Sequence, residues 1–536
     1  MKYIFQFLII LFLYCLTHCK VDNEPPKVLE PLLPNHPTKD YYHPIEFYVD
    51  YSNLQPKNSF YFKIKNSITK VTESLSVLLE VQTYQEIKVN DISDCDRKIH
   101  IDDIIQTGIT TDFLLFVRKI DQESLGNKIV KSKICYLQEK DKRPIVGILY
   151  ISSSISFESI NADKYFEISI LHELSHILVF SNYLFHYFPS SVQPVLRLDS
   201  FNKAYIRTPK VIELAKRHFN CENITEITVE VNTDREVDWE SRLMLGDYMI
   251  SQQYEEMVIS EITLGLFEDS HWYKVHYYTG GLFRFGKNQG CPFINGICSV
   301  NNTKPFQEYC STDNRMKCFA GGLIKGNCEE SLQLINRNKY FTTPILESKK
   351  EDICPIPRTT HSNDNEYFID NCKYGISNSF FIHQKEVIGD ESICVEHSLS
   401  KKNPNIPVNR RREKYAICQK VQCDFDTETV TVFVNDRTIQ CKRNQIKAKL
   451  AGYEGELICP SFDRVCTGTV WCNDPFECID KKSLLYVKPK SFSLLSILLK
   501  MLYCLLLIVC LLAIVILYLK FHKHRRMKQR RFVEII

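Results

Sequence analysis

Apolar residues crowd the stretch from Phe166 to Phe180, and their spacing predicts a buried helix. Shorter helices are predicted over 211–218 and 254–266, where apolar and polar residues alternate at helical period. Upstream the pattern changes. Residues 20–165 carry brief apolar runs between Pro-rich stretches, with strands expected at Phe113–Val117 and Ile145–Ile151.

Two longer apolar runs stand near the ends of the chain. Tyr3–Leu16 follows a basic start and reads as a secretory signal peptide, with residues 1–17 removed. Met501–Leu519 is 19 residues without a charge. As a helix it would span about 28 Å, close to the thickness of a hydrocarbon core. Residues 520–531 hold seven Lys and Arg, which puts this flank in the cytosol. The expected layout is a single-pass type I protein of the plasma membrane or another secretory-pathway membrane. Its ectodomain faces outward or into the lumen, and residues 520–536 form a basic cytoplasmic tail.

Composition refines this picture at one point. With 44% apolar and 24% charged residues among 536, the chain is ordinary globular material, enough for two to four domains. A net charge of +3 gives no reason to expect a nucleic-acid partner. Cysteine is the outlier, at 22 residues. Four lie in the terminal apolar runs, leaving 18 between them, and 15 of those fall in 291–478. An oxidising compartment lets such residues pair. Cys95–Cys135 is the simplest bridge in the N-terminal part, and Cys221 is a candidate to tie the two halves together. Sequons at Asn223 and Asn301 are candidate glycosylation sites.

The predicted helix at 166–180 contains His172-Glu173-Leu174-Ser175-His176. Histidines four residues apart share a helix face, so both imidazoles can reach one metal ion. Zn²⁺ accepts neutral imidazole and keeps a position for water, whose pKa it lowers. Glu173, beside the first histidine, is placed to take that water's proton as a general base. With 15 His and about half of the 64 acids taken as Glu, the motif is expected by chance only about 0.025 times.

Further segments extend the pattern: Ala215–Cys221 (AKRHFNC), Asp238–Ser251 (DWESRLMLGDYMIS), Leu264–Tyr277 (LGLFEDSHWYKVHY) and Ile458–Cys466 (ICPSFDRVC). With the HExxH helix and Phe180 behind it, they make the chain resemble the leishmanolysin family of surface zinc metallopeptidases, a branch of the metzincins. The resemblance covers most of the segment between the signal and the membrane run. It implies an α+β fold: a metzincin-like catalytic core, then a Cys-rich, disulfide-bonded C-terminal module and the C-terminal transmembrane helix. The expected division is 18–165 for the pro region and N-terminal catalytic subdomain, 166–290 for the metal-binding region and 291–492 for the Cys-rich module. The resemblance also implies one Zn²⁺ per chain, peptide substrates, and Met249 as the methionine packed beneath the metal.

Two positions depart from the family pattern. Where its third ligand, a histidine, stands before a tryptophan, this chain has Asp238 before Trp239. Carboxylate is an acceptable zinc ligand, but it lowers the formal site charge from about +2 to about +1 and so makes bound water less acidic. His271, also before a tryptophan, is the rival, although it follows Met249 in the chain. Where the metzincin pattern has a glycine that turns the chain out of the helix, Val179 stands. Being β-branched it resists positive φ, so either the helix runs longer or the turn is made differently. Cys19 could act as an inhibitory zinc ligand if it survives signal cleavage. The expectation is a cell-surface zinc metalloendopeptidase, with His172, His176 and Asp238 as ligands and Glu173 as base. A catalytically inactive surface adhesin or receptor is the alternative that the two departures motivate.

Overall fold

The computed structural model describes residues 27–29 and 42–466, apart from short stretches and the segments 296–305, 311–315, 329–355, 358–370, 374–385 and 402–414. The signal peptide, Cys19, the 501–519 run and the basic tail lie outside the described residues. Among the described residues, no helix is long and apolar enough to cross a membrane.

A five-stranded sheet organises the N-terminal half, in the order Lys27–Leu29, Val130–Gln138, Pro144–Ser152, Phe113–Ile120, Phe47–Asp50. The last three strands are mutually parallel, Val130–Gln138 runs antiparallel to Pro144–Ser152, and Lys27–Leu29 pairs parallel with Val130–Gln138. Both faces of the sheet are buried. Phe113, Leu115 and Val117 enter the main core, while Leu114 and Phe116 pack with Ile87, Val89 and Ile105 in a second cluster. A strand buried on both faces reads as a continuous apolar run, which is why both strands expected from the sequence are found.

Two long helices, Tyr61–Leu78 and Ala162–Leu178, pack together on the main-core face. The second is the predicted site helix, beginning four residues earlier and ending two earlier than expected. From Phe166 onward all its residues are buried. At its end, Val179 N–H and Phe180 N–H both donate to the Ser175 carbonyl, at 2.9 and 2.8 Å. Val179 is not among the positive-φ residues. The exit is therefore made by a widened last turn, without the left-handed residue a glycine would supply.

A second, antiparallel sheet follows, in the order Leu196–Leu198, Ala204–Ile206, Ile227–Val231, Val237–Trp239. The helix expected at 211–218 spans Pro209–Phe219, with proline in its first turn and Asn220 in the left-handed conformation at its end. The helix expected at 254–266 requires correction: it spans Glu261–Asp269. Met257–Ser260 is extended instead, because Val258 exchanges backbone hydrogen bonds with Gly246 and Tyr248. The Ser260 side chain then caps the helix by accepting from Thr263 N–H.

The cysteine-rich part is built on a six-stranded sheet, in the order Arg437–Lys442, Thr429–Val434, Tyr415–Asp424, Ser392–His397, Leu457–Ile458, Lys447–Ala448. Its apolar cluster is separate and smaller. Disulfides join Cys310–Cys328, Cys318–Cys394, Cys372–Cys418, Cys423–Cys466 and Cys441–Cys459. In the N-terminal half Cys95 bonds Cys135 as expected, and Cys221 bonds Cys291, tying that half to the start of the cysteine-rich segment as expected. The result is a mixed α/β protein whose described cysteines are oxidised across both regions.

Candidate metal centre

The site helix presents His172 and His176 one turn apart, with their Nε2 atoms 3.0 Å from each other. Each ring is oriented from behind by a backbone carbonyl. His172 Nδ1 lies 2.9 Å from the Tyr248 carbonyl, and His176 Nδ1 lies 2.8 Å from the Phe180 carbonyl. A carbonyl only accepts, so both Nδ1 atoms carry protons and both Nε2 atoms face a common point. The widened turn at the helix end is thus functional geometry: it brings the Phe180 carbonyl behind His176.

Asp238 completes the cluster. It sits on the strand Val237–Trp239, paired with Ile227–Val231 and opposite Glu230. Its Oδ1 lies 3.4 Å from His172 Nε2 and 3.4 Å from His176 Nε2. That separation is long for a hydrogen bond, and this buried oxygen has no hydrogen-bond partner. His172, His176 and Asp238 are all nearly fully buried. Burial pulls the His172 imidazolium down. Burial also works against the charged form at His176, but Asp238 outweighs it and pushes His176 up to about 9. For Asp238, burial would raise the carboxyl, yet the two imidazoles hold it below its ordinary range.

Two converging Nε2 atoms and a carboxylate oxygen without a hydrogen-bond partner make a donor set that a cation can bridge. A proton shared among them is one solution, expressed in the raised His176. A borderline metal ion such as Zn²⁺, which takes imidazole nitrogen and carboxylate oxygen, is the other, and the donor set fits it. His271, the rival ligand, is solvent-exposed with φ +60° at the end of Glu261–Asp269, unlike the buried trio.

Met249 lies fully buried in the turn that follows the Asp238 strand. Trp239 N–H donates to its carbonyl at 2.8 Å, and its own N–H donates to Asp247 Oδ1 at 2.7 Å. Asp247 is itself buried, which pushes its carboxyl up to about 6 despite bonds from Ser260, Met249 and Thr263. Trp239 donates to Thr263 Oγ1 at 2.7 Å and meets Phe180 edge-on at 5.0 Å. These contacts fix the turn that carries Tyr248, whose carbonyl orients His172 and whose hydroxyl meets Ser175 Oγ at 2.9 Å.

Glu173 is buried, and an oxygen of its carboxylate lies within 4.8 Å of the imidazole donors. Its Oε1 accepts from Lys128 Nζ at 2.9 Å and its Oε2 from Ser132 Oγ at 2.9 Å. Lys128 also donates to Glu236 Oε2 at 2.6 Å. Sequence reasoning missed Lys128, Ser132 and the orienting role of Tyr248. None belongs to a local pattern; tertiary folding brings each to the helix.

A family model described as leishmanolysin matches residues 63–472. The chain belongs to the leishmanolysin family of metallopeptidases. A leishmanolysin homolog of Crithidia fasciculata is 25% identical over 394 residues, covering 68% of this chain and 56% of that protein. Leishmanolysin of Leishmania donovani is 23% identical, covering 67% and 62%. The ciliated left-right organizer metallopeptidase of Danio rerio is 22% identical, covering 66% and 55%. The matched part of the chain thus spans little more than half the length of these relatives.

Proposed function

We propose that this leishmanolysin family member is a zinc-dependent endopeptidase in which His172, His176 and Asp238 hold one Zn²⁺. The observation that carries this reading is the convergence of three buried donor atoms, His172 Nε2, His176 Nε2 and Asp238 Oδ1, the last without a hydrogen-bond partner. Zinc, when bound, supplies a Lewis acid and lowers the pKa of a water molecule. Glu173, held beside the imidazoles, takes the proton from the attacking water and returns it to the leaving amine. The Tyr248 and Phe180 carbonyls keep both histidines in the tautomer that ligates metal. Met249 and the Trp239 network support the floor of the site.

The proposal places the protein on a membrane by the 501–519 run, with residues 18–492 outside the cytosol. The disulfides are what an oxidising compartment produces, and they support that side of the membrane. The substrates are proteins and peptides. The test is cleavage of casein-derived fluorogenic peptides by the full-length protein and by Glu173→Ala, alongside metal analysis. The expected result is cleavage by the wild type, abolished by chelation and reduced about 10²–10⁴-fold in the variant. Equal activity in both proteins removes Glu173 as base. Zinc uptake with no cleavage by either supports the inactive adhesin or receptor.

A further inference from the structure

We propose that Lys128 and Ser132 form a clamp that keeps the Glu173 carboxylate off the metal, so that the coordination position needed by water stays open. The inference rests on the metal-site reading above and deepens it.

Glu173 is close enough to be a ligand itself. An oxygen of its carboxylate falls within 4.8 Å of both imidazole donors. A carboxylate beside a divalent cation is drawn toward it, and zinc sites closed by four protein ligands are structural, not catalytic. Something must oppose that collapse, and in this chain each carboxylate oxygen has its own restraint. Lys128 Nζ holds Oε1 at 2.9 Å, and Ser132 Oγ holds Oε2 at 2.9 Å. The serine hydroxyl lies equally 2.9 Å from the Glu173 backbone carbonyl, so its single proton is shared between that carbonyl and Oε2.

The lysine is anchored in turn. Its ammonium reaches Glu236 at 2.6 Å, and Glu236 stands two residues before Asp238. Burial would lower the lysine, but the two carboxylates outweigh it and keep it cationic. Lys128 lies just before the strand Val130–Gln138, and Ser132 lies on it. The clamp therefore joins that strand, the site helix and the approach to the Asp238 strand. It leaves Glu173 competent, because each carboxylate oxygen keeps a second lone pair for a proton. It also offsets charge: Asp238 adds an anion where the family has a neutral histidine, and Lys128 adds a cation nearby. Lys128 and Ser132 are positioning residues, acting through Glu173.

The test uses the full-length chain loaded with Co²⁺, whose visible absorption reports coordination. In Lys128→Met/Ser132→Ala the spectrum is expected to change as carboxylate replaces water, and chelator competition to show metal binding tightened by about tenfold, a size typical of outer-shell changes. Peptide turnover is expected to fall about 10²-fold in kcat with KM little changed. Lys128→Arg keeps the wild-type spectrum and most of kcat. In a Glu173→Ala background the double substitution leaves the cobalt spectrum unchanged. An unaltered spectrum and affinity, a weakened affinity, or an increased kcat in the double variant would overturn the clamp while leaving the metal site standing. Should the double variant not fold, Ser132→Ala and Lys128→Met are read singly against the same outcomes. A wild type that takes up no cobalt overturns the metal site and the clamp together.

Discussion

Around the histidines, stability comes from apolar packing: two long helices lie on a sheet buried on both faces, and the core continues beneath the second sheet to Phe293 and Tyr309. The cysteine-rich region has a sheet of similar strand number but a much smaller apolar cluster, and five disulfides run through its described residues. Burial of apolar area stabilises the first region directly. Cross-links stabilise the second mainly by restricting its unfolded chain. The contrast shows why the chemistry sits where it does. The proposed site, with three donors and a restrained carboxylate in fixed geometry, needs dense packing behind each of them, and among the described residues the first region supplies it.

The largest expected effect comes from emptying that packing. Trp239→Ala removes a fully buried indole, its contact with Phe180 and its bond to Thr263. It should cost about 3–5 kcal/mol in chemical denaturation, and hydrogen exchange should rise around Asp238 and Met249 but not in Ser392–His397. Exchange rising equally in both regions would show that they unfold as one.

Next in size is a staple. Cys441→Ala/Cys459→Ala opens a link across 18 residues and should cost the cysteine-rich region about 3 kcal/mol. Peptide cleavage and metal content should stay near wild type. Loss of metal in that variant would dissolve the proposed division of labour.

No larger than this, and opposite in sign to each other, are two pH responses. Asp247 is pushed up to about 6 by burial. A carboxyl raised in the folded state costs nothing below its ordinary value of 3.8, and stability is lost as pH rises through the window from there to about 6. His397, in the other region, is pulled down to about 4 by burial, its Nδ1 accepting from Leu399 N–H. Its neutral ring is favoured above 6.5, and stability is lost as pH falls from there toward 4. Each response should be at most about 3 kcal/mol. Regional exchange between pH 4 and 6.5 should therefore show mild acid tightening the turn at Asp247 and loosening the strand at His397. Asp247→Asn and His397→Phe should each flatten one slope alone.

The smallest effect belongs to the surface. Arg443 pairs with Glu428 at 2.6 Å, but both side chains are nearly half exposed. Arg443→Ala should change stability by no more than about 0.5 kcal/mol, and a larger loss would mean that this hairpin relies on charge more than on its disulfide.

Much of the site region was legible in the sequence because its signals are local. A helix buried nearly all round, strands buried on both faces and a histidine pair at helical spacing announce themselves over a few residues. Asp238 was legible only through resemblance, since its partners lie more than 60 residues away. The helix at Glu261–Asp269 was misjudged because Met257 and Ile259 extend the apolar pattern backward, although the backbone of Val258 between them pairs with Gly246 and Tyr248. The Ser260 cap with Glu261 in the first turn was the available signal for the true start. Lys128 offered none: one lysine among many acquires meaning only when the strand Val130–Gln138 is laid against the site helix. Cys95–Cys135 and the linking role of Cys221 were legible; in the cysteine-rich region the density of thiols was legible but their pairing was not, because bridges are set by strand order.

The most direct test of the account is zinc stoichiometry and affinity in the purified wild-type protein and in Asp238→Ala. The account predicts one zinc per wild-type chain, and a variant that stays folded but loses the ion under mild chelation. A wild type free of metal, or a variant that holds zinc as tightly, would contradict it.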